Sequence, residues 1–117
     1  MIYESTRDIN RKINPSEAIL QGLSEEGGLF VLRDLGKNKL DLKNLVGKNY
    51  YEVAEEVLKL FVDFSEQEIK ACVENAYKGK FSNEKITPLV ELNDSYVLEL
   101  FNGPTSAFKD VGLSLLP

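Results

Sequence analysis

Histidine is absent from this chain and cysteine occurs once. Without histidine there is no Ser-His or Cys-His nucleophile pair, and the usual zinc sites lose their commonest nitrogen ligand. The single Cys72 has no partner for an intrachain disulfide. It falls on the apolar side of an expected helix, which reads as a small buried hydrophobe rather than a nucleophile. Clustered lysines and arginines are missing too, and the formal net charge is −5. Nothing here would follow a phosphate backbone, so no nucleic-acid partner is expected. No apolar run approaches the length of a bilayer span, and the first residues lack the apolar region of a signal peptide. The expectation is a cytoplasmic chain with no membrane partner. Repeats and low-complexity tracts are also lacking. Any chemistry must use lysine, carboxylates, hydroxyls or a borrowed cofactor, and no metal site is expected.

What is present suits an ordinary folded domain: 117 residues, 43% hydrophobic and 28% charged. Ile2 and Tyr3 ahead of Ser5-Thr6-Arg7 read as an edge strand entering a polar turn. Asn14-Pro15-Ser16-Glu17 is a helix start, with Asn at the N-cap, Pro in the first helical position and Glu at the third. Ala18, Ile19 and Leu23 mark its apolar face, and Gly22 weakens its end. Ser24-Glu25-Glu26-Gly27-Gly28 is a turn before a short strand, Leu29 to Leu32. A glycine pair can cradle phosphate, but here two acids precede it, no lysine signature follows and a strand comes next. A plain turn is the better account.

Residues 33–40 read as loop, and Asp41 caps a short helix through Val46 that Gly47 stops. Tyr50, Val53, Ala54, Val57, Leu58, Phe61 and Val62 then recur at helical spacing. Ser65-Glu66-Gln67-Glu68 is a capping box opening a second helix, with a stripe of Ile69, Cys72, Val73, Ala76 and Tyr77 and a stop at Gly79. Between Glu52 and Glu74 lie seven acids and two lysines, the solvated outer face of a helical hairpin. Residues 82–85 are polar and link to a second apolar stretch, Ile86-Thr87-Pro88-Leu89-Val90. A domain boundary is expected between 80 and 85, with residues 1–82 as an α+β domain of short strands and a helical hairpin, and residues 83–117 as the start of another.

The most informative stretch closes the chain. Tyr96 to Phe101 reads as a mostly buried strand, and Gly103-Pro104 turns it. Thr105 and Ser106 supply hydroxyls, and a helix begins near Phe108 with Asp110 in its first turn, where the dipole favours an acid. Lys109 therefore sits at the mouth of that helix, where backbone N–H groups favour a neutral, nucleophilic amine. A lysine taken alone is a solvated surface charge. The hydroxyls, Phe108 and Asp110 around this one are the company that a Schiff-base lysine needs. Thr105 and Ser106 also read, more simply, as caps of the helix.

Glu99 to Asp110, Glu-Leu-Phe-Asn-Gly-Pro-Thr-Ser-Ala-Phe-Lys-Asp, resembles the cofactor-lysine motif of the threonine synthase family. Ser5-Thr6-Arg7, the run from Gly22 to Val31 and Ile86-Thr87-Pro88-Leu89 are similar to other parts of it. The resemblance implies a pyridoxal-phosphate enzyme of the tryptophan-synthase-β-like fold (fold type II), which converts O-phospho-L-homoserine and water to L-threonine and phosphate. It places the cofactor's internal aldimine on Lys109, with Thr105 and Ser106 as cofactor-side hydroxyls. Asn102 and Asp110 become candidates on the substrate side. Family members often carry histidine where this chain has Asn102, which can hydrogen-bond but cannot shuttle a proton.

Such enzymes are several times longer, and their phosphate-holding glycine loop lies after the lysine. The resemblance therefore implies an N-terminal piece: a leading domain plus the truncated first strand, turn and helix of the catalytic domain. That piece is expected to lack activity and bound cofactor, and to self-associate through its last strand and helix. Two other readings are another fold type II lyase or dehydratase, and an interaction module with no cofactor.

Overall fold

Three helix starts lay out the first two-thirds of the fold, and each is closed by a reciprocal capping box. The computed structural model describes residues 1–37 and 39–116. Helix α1 runs Pro15–Gln21 behind Asn14, whose side chain accepts from the Glu17 amide at 2.8 Å. Helix α2, Tyr50–Leu58, starts at Asn49 paired with Glu52, and α3, Glu66–Tyr77, at Ser65 paired with Glu68. Each box satisfies two amide donors that the first turn would otherwise leave open. The stretch behind Asp41 forms a short 3-10 turn, Leu42–Leu45.

Helices α2 and α3 form the expected hairpin, and its seam is the core. Ile69, Val73, Ala76 and Tyr77 of α3 are buried there together with Ile86. Tyr50, Ala54 and Leu58 of α2, with Val62, pack against them. Tyr50 and Tyr77 meet edge to face with centroids 4.9 Å apart, a geometry that aromatic pairs favour. Burial holds the Tyr50 hydroxyl above its ordinary pKa.

Cys72, expected in the stripe, is exposed. Three residues after Ile69 it lies on the flank of a stripe centred on Ile69, Val73, Ala76 and Tyr77, outside the seam. Of the acids, Glu52, Asp63, Glu66 and Glu68 are exposed as expected, while Glu55, Glu56 and Glu74 are half-buried. Glu56 joins Lys48 at 3.0 Å and Lys59 at 3.4 Å, and these ion pairs draw its pKa below the ordinary value.

Two small sheets complete the fold. The first has the antiparallel order β2-β1-β3, with β1 Tyr3–Ser5, β2 Lys12–Ile13 and β3 Phe30–Leu32. Strand β1 is thus central rather than an edge, because the two-residue β2, too short to leave a periodic pattern, pairs on its other side. Tyr3 Oη donates to the Phe61 carbonyl at 2.8 Å and ties this sheet to the end of the α2 segment. Helix α1 buries only Pro15; Ile19 and Leu23 of its expected apolar face stand exposed. With two turns, α1 seats its first turn, half-buries Ala18 and leaves Ile19, Leu20 and Gln21 exposed.

The second sheet is a hairpin of β4 Leu89–Leu92 and β5 Ser95–Leu98, in the register Leu89↔Leu98 to Leu92↔Ser95. Asn93 takes φ +53° at its two-residue turn, a conformation asparagine tolerates better than most residues. The Glu99 amide donates to Pro88 O at 3.0 Å and closes the open end. The expected strand was longer and mostly buried. Here it stops at Leu98, and both strands are exposed along their whole length, because a two-stranded ribbon has no layer over either face. Helix α4, Asp110–Leu113, ends the described fold. The whole is a small α+β chain.

Candidate functional site

The loop between β5 and α4 is built around Asp110. Its Oδ2 accepts from the Thr105 amide at 2.8 Å and its Oδ1 from Thr105 Oγ1 at 2.5 Å. These bonds draw residues 105–110 into one closed turn. The Thr105 hydroxyl is the main reason the Asp110 carboxyl titrates below its ordinary value; burial opposes it, and backbone N–H groups of Thr105, Ala107 and Ser106 add to the lowering. Gly103 passes so close that a Cβ there would lie 2.4 Å from Asp110 Cβ and 2.5 Å from Oδ2. Glycine is required by contact, since no other residue leaves room for the carboxylate. Ser106 takes φ +58°, an uncommon conformation for a residue with a side chain, inside the same turn.

Lys109 is the residue this turn delivers. It occupies the N-cap position of α4, its side chain is exposed, and its carbonyl accepts from the Gly112 and Leu113 amides at 3.1 and 2.8 Å. No carboxylate lies within ion-pairing distance among the described residues. An exposed primary amine with no ion-pair partner among the described residues can condense with a carbonyl group. The residues present therefore fit an aldehyde cofactor at this position.

Asn102 is buried at the other end of the loop. Its carbonyl accepts from the Ser82 amide at 2.9 Å, its Oδ1 from Ser82 Oγ at 3.2 Å, and its Nδ2 faces Glu99 Oε2 at 3.4 Å. It fastens the loop to the polar segment after α3. On the far side, Tyr77 Oη donates to the Val111 carbonyl at 2.8 Å.

A family model described as "Threonine synthase N terminus" matches residues 2–77. The chain belongs to the threonine synthase N-terminal family. The threonine synthase of Pseudomonas aeruginosa is 39% identical over 99% of this chain and 25% of its own length. A solved threonine synthase from Brucella melitensis, described as bound to PLP, superposes with a TM-score of 0.87 at 38% identity, over 99% of this chain and 26% of that one. The yeast threonine synthase structure gives a TM-score of 0.86 at 30% identity, covering 98% and 25%. The chain thus spans about a quarter of the length of the threonine synthases it matches.

Within that family resemblance the structure brings Thr105, Ser106, Lys109 and Asp110 into one turn, with Asn102 at its base. Lys109, Thr105 and Ser106 are exposed, whereas the polar atoms of Asn102 and Asp110 are engaged inside the chain. Two participants were not singled out from sequence for this loop. Ser82 lay in a stretch read as a polar linker. Tyr77 ended a helical stripe read as core, and only its para hydroxyl, which a core position does not need, hinted at more.

Proposed function

We propose that this chain is the leading part of a threonine synthase, in which Lys109 holds pyridoxal phosphate and the whole enzyme converts O-phospho-L-homoserine and water to L-threonine and phosphate. The observation that carries this reading is the exposed, unpaired Lys109 presented by the Asp110–Thr105 turn, within a chain whose relatives bear that enzyme's name. On this reading residues 1–82 are the N-terminal domain and residues 83–117 open the fold type II catalytic domain. The activity belongs to a polypeptide of the relatives' length; the 117 residues alone are inactive and retain little cofactor.

Bound at Lys109, the cofactor supplies an electron sink for carbanion chemistry next to the substrate amine. The chain's own part is to present the Lys109 amine and, once that amine is free, to use it as a base for moving protons at neighbouring substrate carbons. Ser106 offers an exposed hydroxyl on the same turn, whereas the Thr105 hydroxyl is held by the Asp110 carboxylate. Asp110 and Asn102 keep the loop closed, and α4 directs two amides at the lysine carbonyl.

The test is incubation with pyridoxal phosphate, borohydride fixation and peptide mapping, on this chain and on its full-length form. The expected result is label confined to Lys109 in the full-length form, with little in the 117 residues alone. No selective label at Lys109 in either would sink the cofactor assignment and favour an interaction module.

A further inference from the structure

The lysine turn is held from two directions, and one of them comes from the helical pair. Tyr77, the last residue of α3, reaches across to α4, and its hydroxyl donates to the Val111 carbonyl at 2.8 Å. That carbonyl has no helical partner of its own: the Ser114 and Leu115 amides go to Asp110 and Gly112, at 3.0 and 3.1 Å. The hydroxyl therefore fills one of the orphan acceptors of a very short helix. Its aim is fixed as well, because the Tyr77 ring is buried and wedged between Tyr50 at 4.9 Å and Phe81 at 5.8 Å. Leu115 packs against the same core cluster and docks the far end of the segment.

We propose that Tyr77 is a positioning residue for Lys109, through which the N-terminal helical domain sets the placement of the cofactor lysine; this rests on the reading of Lys109 given above. The path is short and covalent at its end. Val111 is two residues from Lys109, and the amides that bond the Lys109 carbonyl belong to Gly112 and Leu113, the residues immediately after it. Without the hydroxyl, α4 keeps only four residues and an N-cap with no side-chain bond, too little to stay formed by itself. Tyr77 is also the last residue matched by the N-terminal family model. The contact therefore lies where that domain meets the lysine segment.

The variant is Tyr77→Phe in the full-length form, which keeps the ring packing and removes only the hydroxyl. Val73→Ala is the control: it loosens the same core on α3 and, having no polar side-chain atom, removes no hydrogen bond to α4. Amide exchange at Gly112 and Leu113 should quicken about five-fold in Tyr77→Phe, the factor expected for one lost hydrogen bond. Borohydride-fixed pyridoxal phosphate should shift from Lys109 toward other lysines by a comparable factor, while Val73→Ala keeps its label on Lys109. Unchanged exchange at Gly112 and Leu113, or an equal loss of label in both variants, would overturn the assignment and leave Tyr77 a core residue. A parent protein that takes no label at Lys109 would instead sink the cofactor reading, and this inference with it.

Discussion

Both carboxylate oxygens of Asp110 point back along the chain to Thr105, and the turn they close sets where Lys109 stands. Gly103 is the residue that lets this happen. In Gly103→Ala the new methyl would overlap Asp110 Cβ and Oδ2, so either the backbone shifts or the carboxylate leaves Thr105. A loss of about 1–3 kcal/mol in stability is expected, as for other overpacked sites, measurable by urea denaturation. The Asp110 carboxyl is held below its ordinary range chiefly by the Thr105 hydroxyl. A carboxyl depressed in the folded state contributes stability above its unfolded pKa and loses it as pH falls through the folded value. Thr105→Val should raise the Asp110 carboxyl toward its ordinary range, read by carbon-13 NMR titration. It should also weaken the protein more at neutral pH than well below the carboxylate range. At this scale the places of Lys109 and Asp110 at a helix start were legible because a Gly-Pro turn and a first-turn acid leave local signals. The need for glycine at 103 was not, since it arises from the approach of an atom seven residues away.

The capping boxes of α1 and α3 were readable, because each is a contact between residues three apart and needs nothing from the rest of the fold. The Asn49–Glu52 box of α2 was missed behind the apolar stripe that starts at Tyr50. Ser65 of α3 caps with its Oγ on the Glu68 amide at 3.3 Å and returns a bond to the Glu68 carboxylate at 2.7 Å. The Ser65 hydroxyl, and after it the Ser65 backbone N–H, hold the Glu68 carboxyl below its ordinary value. Ser65→Ala should cost about 1 kcal/mol, the usual worth of an N-cap, and lower the thermal midpoint without altering the fold seen by circular dichroism. The elements that misled were those whose character is set by a neighbour. Strand β2 exists because β1 offers it an edge, and Cys72 is outside the core because α2 meets α3 along a line one position away. Leu29 was read as strand and is found instead in an isolated bridge to Leu23. Periodicity shows which face is apolar but not what will cover it.

Across the whole molecule, burial is distributed unevenly. The α2–α3 seam is closed, while the hairpin and the loop after it present Leu89, Leu92, Tyr96, Leu98, Phe101 and Phe108 to solvent. Among the described residues, each hairpin strand also has one edge with no strand pairing it. Unpaired edges carrying apolar side chains are templates for a further strand, and a surface of this kind on a lone chain is a contact site. The 117-residue chain should therefore associate with copies of itself as concentration rises, which size-exclusion chromatography with light scattering over a hundred-fold dilution will detect. Val97→Lys, on β5 and outside the turn that carries Lys109, should shift the equilibrium toward monomer by adding a charge that must be desolvated in any paired form. A single monomer peak at every concentration would mean that the hairpin's own twist and its flanking Glu91, Asp94 and Glu99 are enough to protect it. The apolar ribbon would then be tolerated in water rather than prepared for a partner layer.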